Sequence, residues 1–311
     1  MAIVPFSLKD APSFIERAFP AQRVSIEAQT ERKAGAAQTL TAVGSYWKGR
    51  KPLVLVRACL LGALLPASGK PEKDLEIFEL LMGMDDAAFM NRVRSVSPGD
   101  VQLYGGELSS VALDDSGKWK VRAQERKAIQ GKILARMPYG ARLDRRSLRP
   151  EEMPASAYDT IWARVNAHLG TSVSSHAQLV EQLGVMRFGH RPKIADTFSG
   201  GGSIPFEAAR LGCDSYASDL NPIACMLTWG ALNVVGAPGP KREQMALAQT
   251  AVIADVNRAL ERIGVEQDDE GNRAKAYLYC LEVRCPETGW IVPLSDSWLI
   301  SPAKRCVAKL V

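Results

Sequence analysis

The sequence predicts an α/β chain with a helical N-terminal region and a small β insertion. Three stretches carry that expectation. Lys193 to Asp196 reads as a short strand, and it runs into Gly200-Gly201-Gly202 and a helix start at Ser203-Ile204-Pro205. Ser215 to Ser218 reads as a second strand, ended by Asp219, after which Asn221-Pro222 opens another helix. Together these form a βαβα unit. Residues 13 to 66, by contrast, read as helical throughout.

Bulk properties narrow the class. The chain has 311 residues, 46% of them hydrophobic and 23% charged, as in an ordinary globular protein. The most apolar stretch, Pro52 to Leu65, is broken by Arg57 and is too short to span a bilayer. The first residues carry Lys9, Asp10, Glu16 and Arg17 without an apolar run before them, unlike a secretory leader. Six cysteines, at 59, 213, 225, 280, 285 and 306, suit thiols in a reducing compartment. The expectation is a cytoplasmic protein with no membrane contact.

Four regions follow in order. Residues 1–98 form the helical N-terminal region. There Ser13 and Glu16 make a capping-box pattern, and Lys73 to Arg94 reads as one or two amphipathic helices broken near Gly83. The cluster Tyr46-Trp47-Lys48-Gly49-Arg50-Lys51-Pro52 precedes the apolar helix. Its Trp47, Arg50 and Lys51 are candidates to stack on a base or hold a carboxylate, although Trp47 packing on the helix is the plainer reading.

Residues 99–150 form a basic β insertion and linker. Strands are expected at Val101–Tyr104, Ser110–Leu113 and Lys118–Val121, the last two as a hairpin around Asp114–Gly117. Between Lys118 and Arg149 stand eleven Lys/Arg against only Glu125 and Asp144. That run fits a solvated face and a phosphate-facing surface equally well.

Residues 151–240 hold the βαβα unit, led in by helices expected at 157–169 and at 174–183, the second closed by Gly184. Residues 241–311 contain a long helix to Ile263, a turn at Asp268–Asn272 and strands at 277–284 and 290–294.

The glycine loop carries the chemistry. Consecutive glycines after a strand let the backbone approach a ligand and take positive φ. Ser203 reads as the helix cap and Pro205 sits in the first turn. A dinucleotide fingerprint needs a third glycine where Pro205 stands, and the Asp196 carboxylate at the strand end would repel a pyrophosphate. No Gly-Lys-Ser/Thr phosphate loop occurs. Asp-x-Phe-x-Gly-x-Gly instead suits S-adenosylmethionine. Asp196 faces the ammonium, the glycines pass the sulfonium and carboxylate, and Asp219 pairs with ribose hydroxyls. The candidate cofactor residues are Asp196, Phe198, Ser199, Gly200, Gly201, Gly202, Ser203, Asp219, Leu220 and Asn221. The fold expected is a Rossmann-like S-adenosylmethionine-dependent methyltransferase core with an incomplete sheet.

Asp196 to Cys213 and Ala217 to Ala224 resemble the cofactor motif of bacterial adenine-specific DNA methylases that carry a zinc-ribbon-like insert. Phe14–Pro20 and Tyr46–Pro52 resemble the N-terminal region of unknown function in that family, and Cys285–Leu294 with Ser297-Trp298 the start of its insert. The resemblance implies methyl transfer to the exocyclic amine of a flipped DNA adenine, held by an Asn/Asp-Pro-Pro-aromatic loop. This sequence has no such loop. Met137-Pro138-Tyr139 and Ser301-Pro302-Ala303 each lack part of it.

The chain is therefore expected to be the cofactor-binding part of a longer or split enzyme, inactive alone and completed by a companion chain or by the remainder of the same chain. The catalytic residues stay unassigned. No zinc is expected, because Thr288 stands where Cys285 needs a partner cysteine. Two alternatives remain: a methyltransferase acting on RNA, protein or a small molecule, and a non-catalytic nucleic-acid-binding or assembly subunit.

Overall fold

A computed structural model describes residues 3–33, 49–93, 95–143, 147–264, 266–274, 280–295 and 297–308. The chain is mixed α/β and mainly helical, and each sheet among the described residues has two strands. It divides into two units, Met1–Pro238 and Gly239–Val311.

The first unit begins with α1 (Phe14–Arg17). The Glu16 carboxylate accepts both the Ser13 N–H and the Ser13 hydroxyl at 2.7 Å, which closes the start of the helix. Next come α2 (Ala21–Lys33) and α3 (Leu53–Leu64). α3 is apolar on nearly every side and buried to match, with Val54, Ala58 and Leu61 at 0% exposure. α4 (Pro71–Met82) stops where Gly83 turns left-handed at φ 64°. Asp85 caps α5 (Asp86–Arg92) by accepting from Ala87 N and Ala88 N.

The expected β insertion is helical instead. α6 (Pro98–Tyr104) and α7 (Glu107–Ala112) replace two of its strands, and a single bridge, Leu113 to Trp119, remains of the hairpin. Ser97, Pro98 and Asp100 explain the difference. The Asp100 carboxylate accepts Ser97 N at 2.9 Å and Asp100 N donates to Ser97 Oγ, so a capping box with proline at the first position starts a helix here. Short Val/Leu runs carry weaker local information than that cap.

α8 (Ala123–Arg136) and α9 (Tyr139–Leu143) follow, then two 3-10 turns at Pro150–Glu152 and Ala155–Tyr158. α10 (Trp162–Leu169) therefore starts later than the sequence suggests. α11 (His176–Phe188) runs through Gly184 to a stop at Gly189. Gly184 is a glycine for a packing reason and not as a helix stop: a Cβ there would lie 2.4 Å from Pro192 Cδ.

One core cluster runs from Phe14 to Cys213 and joins α1, α3, α4, α10, α11 and the βαβ unit. Phe14 stacks on Phe78 at its centre, ring centroids 4.8 Å apart. A second cluster, around Phe89, Val101 and Ile133, ties α5 and α6 to α8.

The βαβ unit is β1 (Lys193–Asp196), α12 (Ser203–Arg210) and β2 (Asp214–Ala217). The strands pair in parallel with Asp196 opposite Ala217. α13 (Pro222–Gly230) follows and passes into a π-helical turn at Ala231–Val235. The described residues hold this one parallel pair and no larger Rossmann sheet. Parallel sheets are usually covered on both faces, yet Tyr216 of β2 is 63% exposed.

The second unit has α14 (Gly239–Ile263), none of whose side chains is buried. An antiparallel hairpin, β3 (Leu281–Arg284) and β4 (Ile291–Leu294), comes next, then β5 (Leu299–Ser301) and β6 (Cys306–Val307). The expected strand at 277–284 lies outside the described residues before Cys280.

Candidate cofactor-binding site

The loop after β1 is held by Asp196, by its own backbone and by the loop after β2. Asp196 Oδ1 accepts Phe198 N at 3.1 Å and turns the chain out of the strand. Ser199 N then donates to Ser218 O at 3.0 Å, and Gly202 N to Ser199 O at 2.7 Å. Gly200 and Gly202 take φ of 50° and 77°. At Gly202 space forbids a side chain as well, since a Cβ would sit 2.8 Å from Thr228 Oγ1. The sequence points to Ser203 as the cap of α12, but Gly202 holds that position and offers no side-chain acceptor. Ser203 is the first helical residue. Its hydroxyl is buried and has no hydrogen-bond partner among the described residues.

The loop after β2 reaches back. Asp219 Oδ2 accepts Gly200 N at 2.8 Å and Oδ1 accepts Asn221 N at 2.9 Å. The Asn221 and Gly200 amides hold the Asp219 carboxyl below its ordinary pKa, so it is an anion at neutral pH. Asn221 caps α13 by accepting Ile223 N at 2.9 Å. Leu220 is fully exposed and Phe198 is 86% exposed. The structure thus brings the residues from Asp196 to Ser203 together with Asp219, Leu220 and Asn221 at one end of the parallel pair. Thr228 belongs with them, donating to Ser199 Oγ at 3.3 Å, and no local sequence pattern marks it.

Of the other candidates, Trp47 lies outside the described residues. Arg50 is half-buried and Lys51 exposed, just ahead of α3. Arg50 lines a cavity of about 340 Å³ with Glu31, Arg32, Gly49 and Pro52. Glu31 there accepts Leu53 N at 2.9 Å and Val54 N at 3.1 Å, which caps α3 from a distance. Leu53 in turn packs with Phe206 of α12 and Ala231.

Several members of the basic run have duties inside the fold. Arg142 is buried and paired with Asp86, and Arg149 Nε meets Glu151 Oε1 at 2.7 Å. Arg126 lies over the Trp119 ring at 4.7 Å, and Arg136 donates to Gly105 O. Arg145 and Arg146 lie outside the described residues.

In the hairpin of the second unit, Thr288 sits against Cys285. Its hydroxyl, then the Thr288 and Glu287 amides, lower the thiol pKa. Among the described residues no group of three or more His, Cys, Asp or Glu is placed to hold a metal ion. No described helix is long and apolar enough to cross a membrane.

Residues 18–81 match a family model described as a protein of unknown function (DUF1156). The match spans α2, α3 and α4. No curated protein and no solved structure matches the chain.

Proposed function

We propose that this chain holds the methyl donor of an S-adenosylmethionine-dependent methyltransferase acting on the N6 amine of DNA adenine. The observation that carries the cofactor reading is the Asp219 bridge, in which one carboxylate joins Gly200 N and Asn221 N where two adjacent parallel strands end. An ionised carboxylate has about four acceptor directions, and these two bonds use half of them. The remaining pair suits the vicinal hydroxyls of a ribose. Asp196 at the neighbouring strand end disfavours a phosphate and suits an ammonium. The start of α12, which has no side-chain cap, adds backbone donors on the loop's side.

S-adenosylmethionine would supply an electrophilic methyl group on a cationic sulfur. Asp196, Phe198, Ser199, Gly200, Gly201, Gly202 and Ser203 would hold the methionine part. Asp219, Leu220 and Asn221 would hold the adenosine. Arg50 and Lys51 are further from this assignment, standing ahead of α3, whose Leu53 packs on Phe206 of α12.

The choice of DNA adenine as target is supported by the resemblance of Asp196–Cys213 and Ala217–Ala224 to the DNA methylases. The present sequence carries no Asn/Asp-Pro-Pro-aromatic loop of the kind the resemblance implies for holding the base.

Isothermal titration of the full chain with S-adenosylmethionine tests the cofactor. Wild type is expected to bind, and Asp219→Ala to bind at least about tenfold more weakly, the loss of one charged hydrogen-bonding group. No heat with wild type would overturn the reading. Equal affinity in Asp219→Ala would remove the ribose assignment. Transfer of labelled methyl to DNA, in the presence of a chain supplying the missing loop, separates a DNA target from RNA or protein.

A further inference from the structure

Glu207 is a carboxylate with no solvent exposure in the middle of α12. Its Oε1 accepts from Arg57 Nε at 2.6 Å and its Oε2 from Arg210 Nη1 at 2.6 Å. The same two guanidiniums reach the turn at Pro150–Glu152. Arg57 Nη1 donates to Pro150 O at 3.0 Å and Arg210 Nη2 to Glu151 O at 2.8 Å. The four bonds close a ring through α3, the turn and α12.

A second contact lies nearer the start of both helices, where Leu53, Phe206 and Ala231 form their own buried cluster. Apolar contact tolerates sliding. Guanidinium bonds to a fixed carboxylate and a fixed carbonyl do not, because each needs both distance and direction. A slip of α12 by one residue would move its first turn by about 1.5 Å and rotate it by about 100°. Gly202, its N-cap, would move with it, and Gly202 is wedged against Thr228. A buried ion pair adds little net stability over an apolar pair of the same size, so a geometric role is the better account of why this one sits here.

We propose that Arg57 is a positioning residue. Acting through Glu207, it sets the axial position of α12 and so the placement of the loop Ser199–Ser203. This gives a role to the segment that matches a family of unknown function, because its α3 is one wall of the cofactor unit. The ligand side of this proposal rests on the S-adenosylmethionine reading, whereas the placement of the loop does not.

The test uses the full chain and the double variant Arg57→Met/Glu207→Met, which keeps the volume and removes the direction. Melting temperature, amide hydrogen exchange at residues 199–206 without ligand, and titration with S-adenosylmethionine are measured together. The double variant is expected to melt close to wild type while its 199–206 amides exchange at least about tenfold faster and its affinity falls about tenfold. Wild-type exchange and wild-type affinity in a folded double variant would overturn the proposal.

Should the double variant fail to fold, Arg57→Lys decides. It keeps the charge and drops the second contact to Pro150 O, and faster exchange confined to 199–206 is expected. Unchanged exchange there would equally overturn the positioning role. If wild type does not bind S-adenosylmethionine, the cofactor reading fails by itself and the exchange arm still decides the role of Arg57.

Discussion

α3 and α13 are about equally apolar in sequence and differ in what surrounds them. α3 has α1, α2, α4, α11 and α12 around it, and even its arginine is buried. α13 packs on α12, buries Ala224, Leu227 and Thr228, and leaves Ile223, Met226 and Trp229 at 56%, 64% and 61% exposure. Burial is set by neighbours, not by apolarity alone. The glycine loop joins the two regimes. Its helix, α12, is anchored on the α3 side by Arg57, while Phe198 and Leu220 open on the other side with α13. A loop held by a rigid wall and open on one face is an arrangement that can admit a ligand.

The closed side is where substitutions should cost most. Arg92 and Glu27 are both fully buried, with Nη1 to Oε1 at 2.7 Å and Nη2 to Oε2 at 2.8 Å, and Tyr139 OH also donates to Glu27. Arg92→Met strands the carboxylate and is expected to lower unfolding stability by about 3–5 kcal/mol. Leu61→Ala, in the middle of α3, is expected to cost about 2–5 kcal/mol through the cavity it leaves. Urea unfolding reads both. A loss below about 1 kcal/mol in either would mean the helical core is looser than its burial implies.

Proton linkage gives the next largest effects, with opposite signs on the same wall. Burial, then the neighbouring Glu31 charge, push the Glu151 carboxyl up from 4.5 to about 7. A raised folded pKa means the native state holds its proton more tightly. This contribution is therefore full below about 4.5 and is lost as pH climbs to about 7. His176 runs the other way. Burial, then the Arg57 charge, lower it from 6.5 to about 4, while its Nε2 meets Leu81 O at 2.9 Å and its ring lies edge-on to Tyr158 and Trp162. Its contribution is full above 6.5 and is lost as pH falls toward about 4.

Each limb should be on the order of 3 kcal/mol. Stability against pH for Glu151→Gln is expected to lose the decline toward pH 7, and for His176→Gln to lose the acid limb. Unchanged slopes would show that these groups are not held as the packing suggests.

The contrast between the two sides also separates what the sequence reveals from what it hides. The glycine turns, the Asn221 cap and the Ser13–Glu16 box are chemistry between residues a few positions apart, and the sequence displays them directly. The Ser97–Asp100 box is equally local, but the neighbouring Val/Leu runs read as strands and obscure it. Arg57 shows as an odd charge in an apolar stretch, which signals a buried partner without naming it. Glu207 lies 150 positions away, and nothing local marks it. Gly184 reads as a helix stop until Pro192 is seen packed against it. Glu207 and Gly184 are missed because their contacts are made by tertiary packing, which single-sequence periodicity does not carry.

The smallest effect is expected on the open face, and it tests the comparison most directly. Met226 and Trp229 expose most of their side chains, so truncation removes little buried area. Met226→Ser and Trp229→Ser should each change unfolding stability by no more than about 0.5 kcal/mol in the isolated chain at low concentration. The same substitutions should leave amide exchange in α3 untouched. A loss above about 1.5 kcal/mol from either would mean this face is packed in the folded chain, and α3 and α13 would then no longer differ in kind. A near-zero result keeps α13 as exposed apolar surface beside Asp219, so that a substitution there which weakens ligand binding acts on the site and not on the fold.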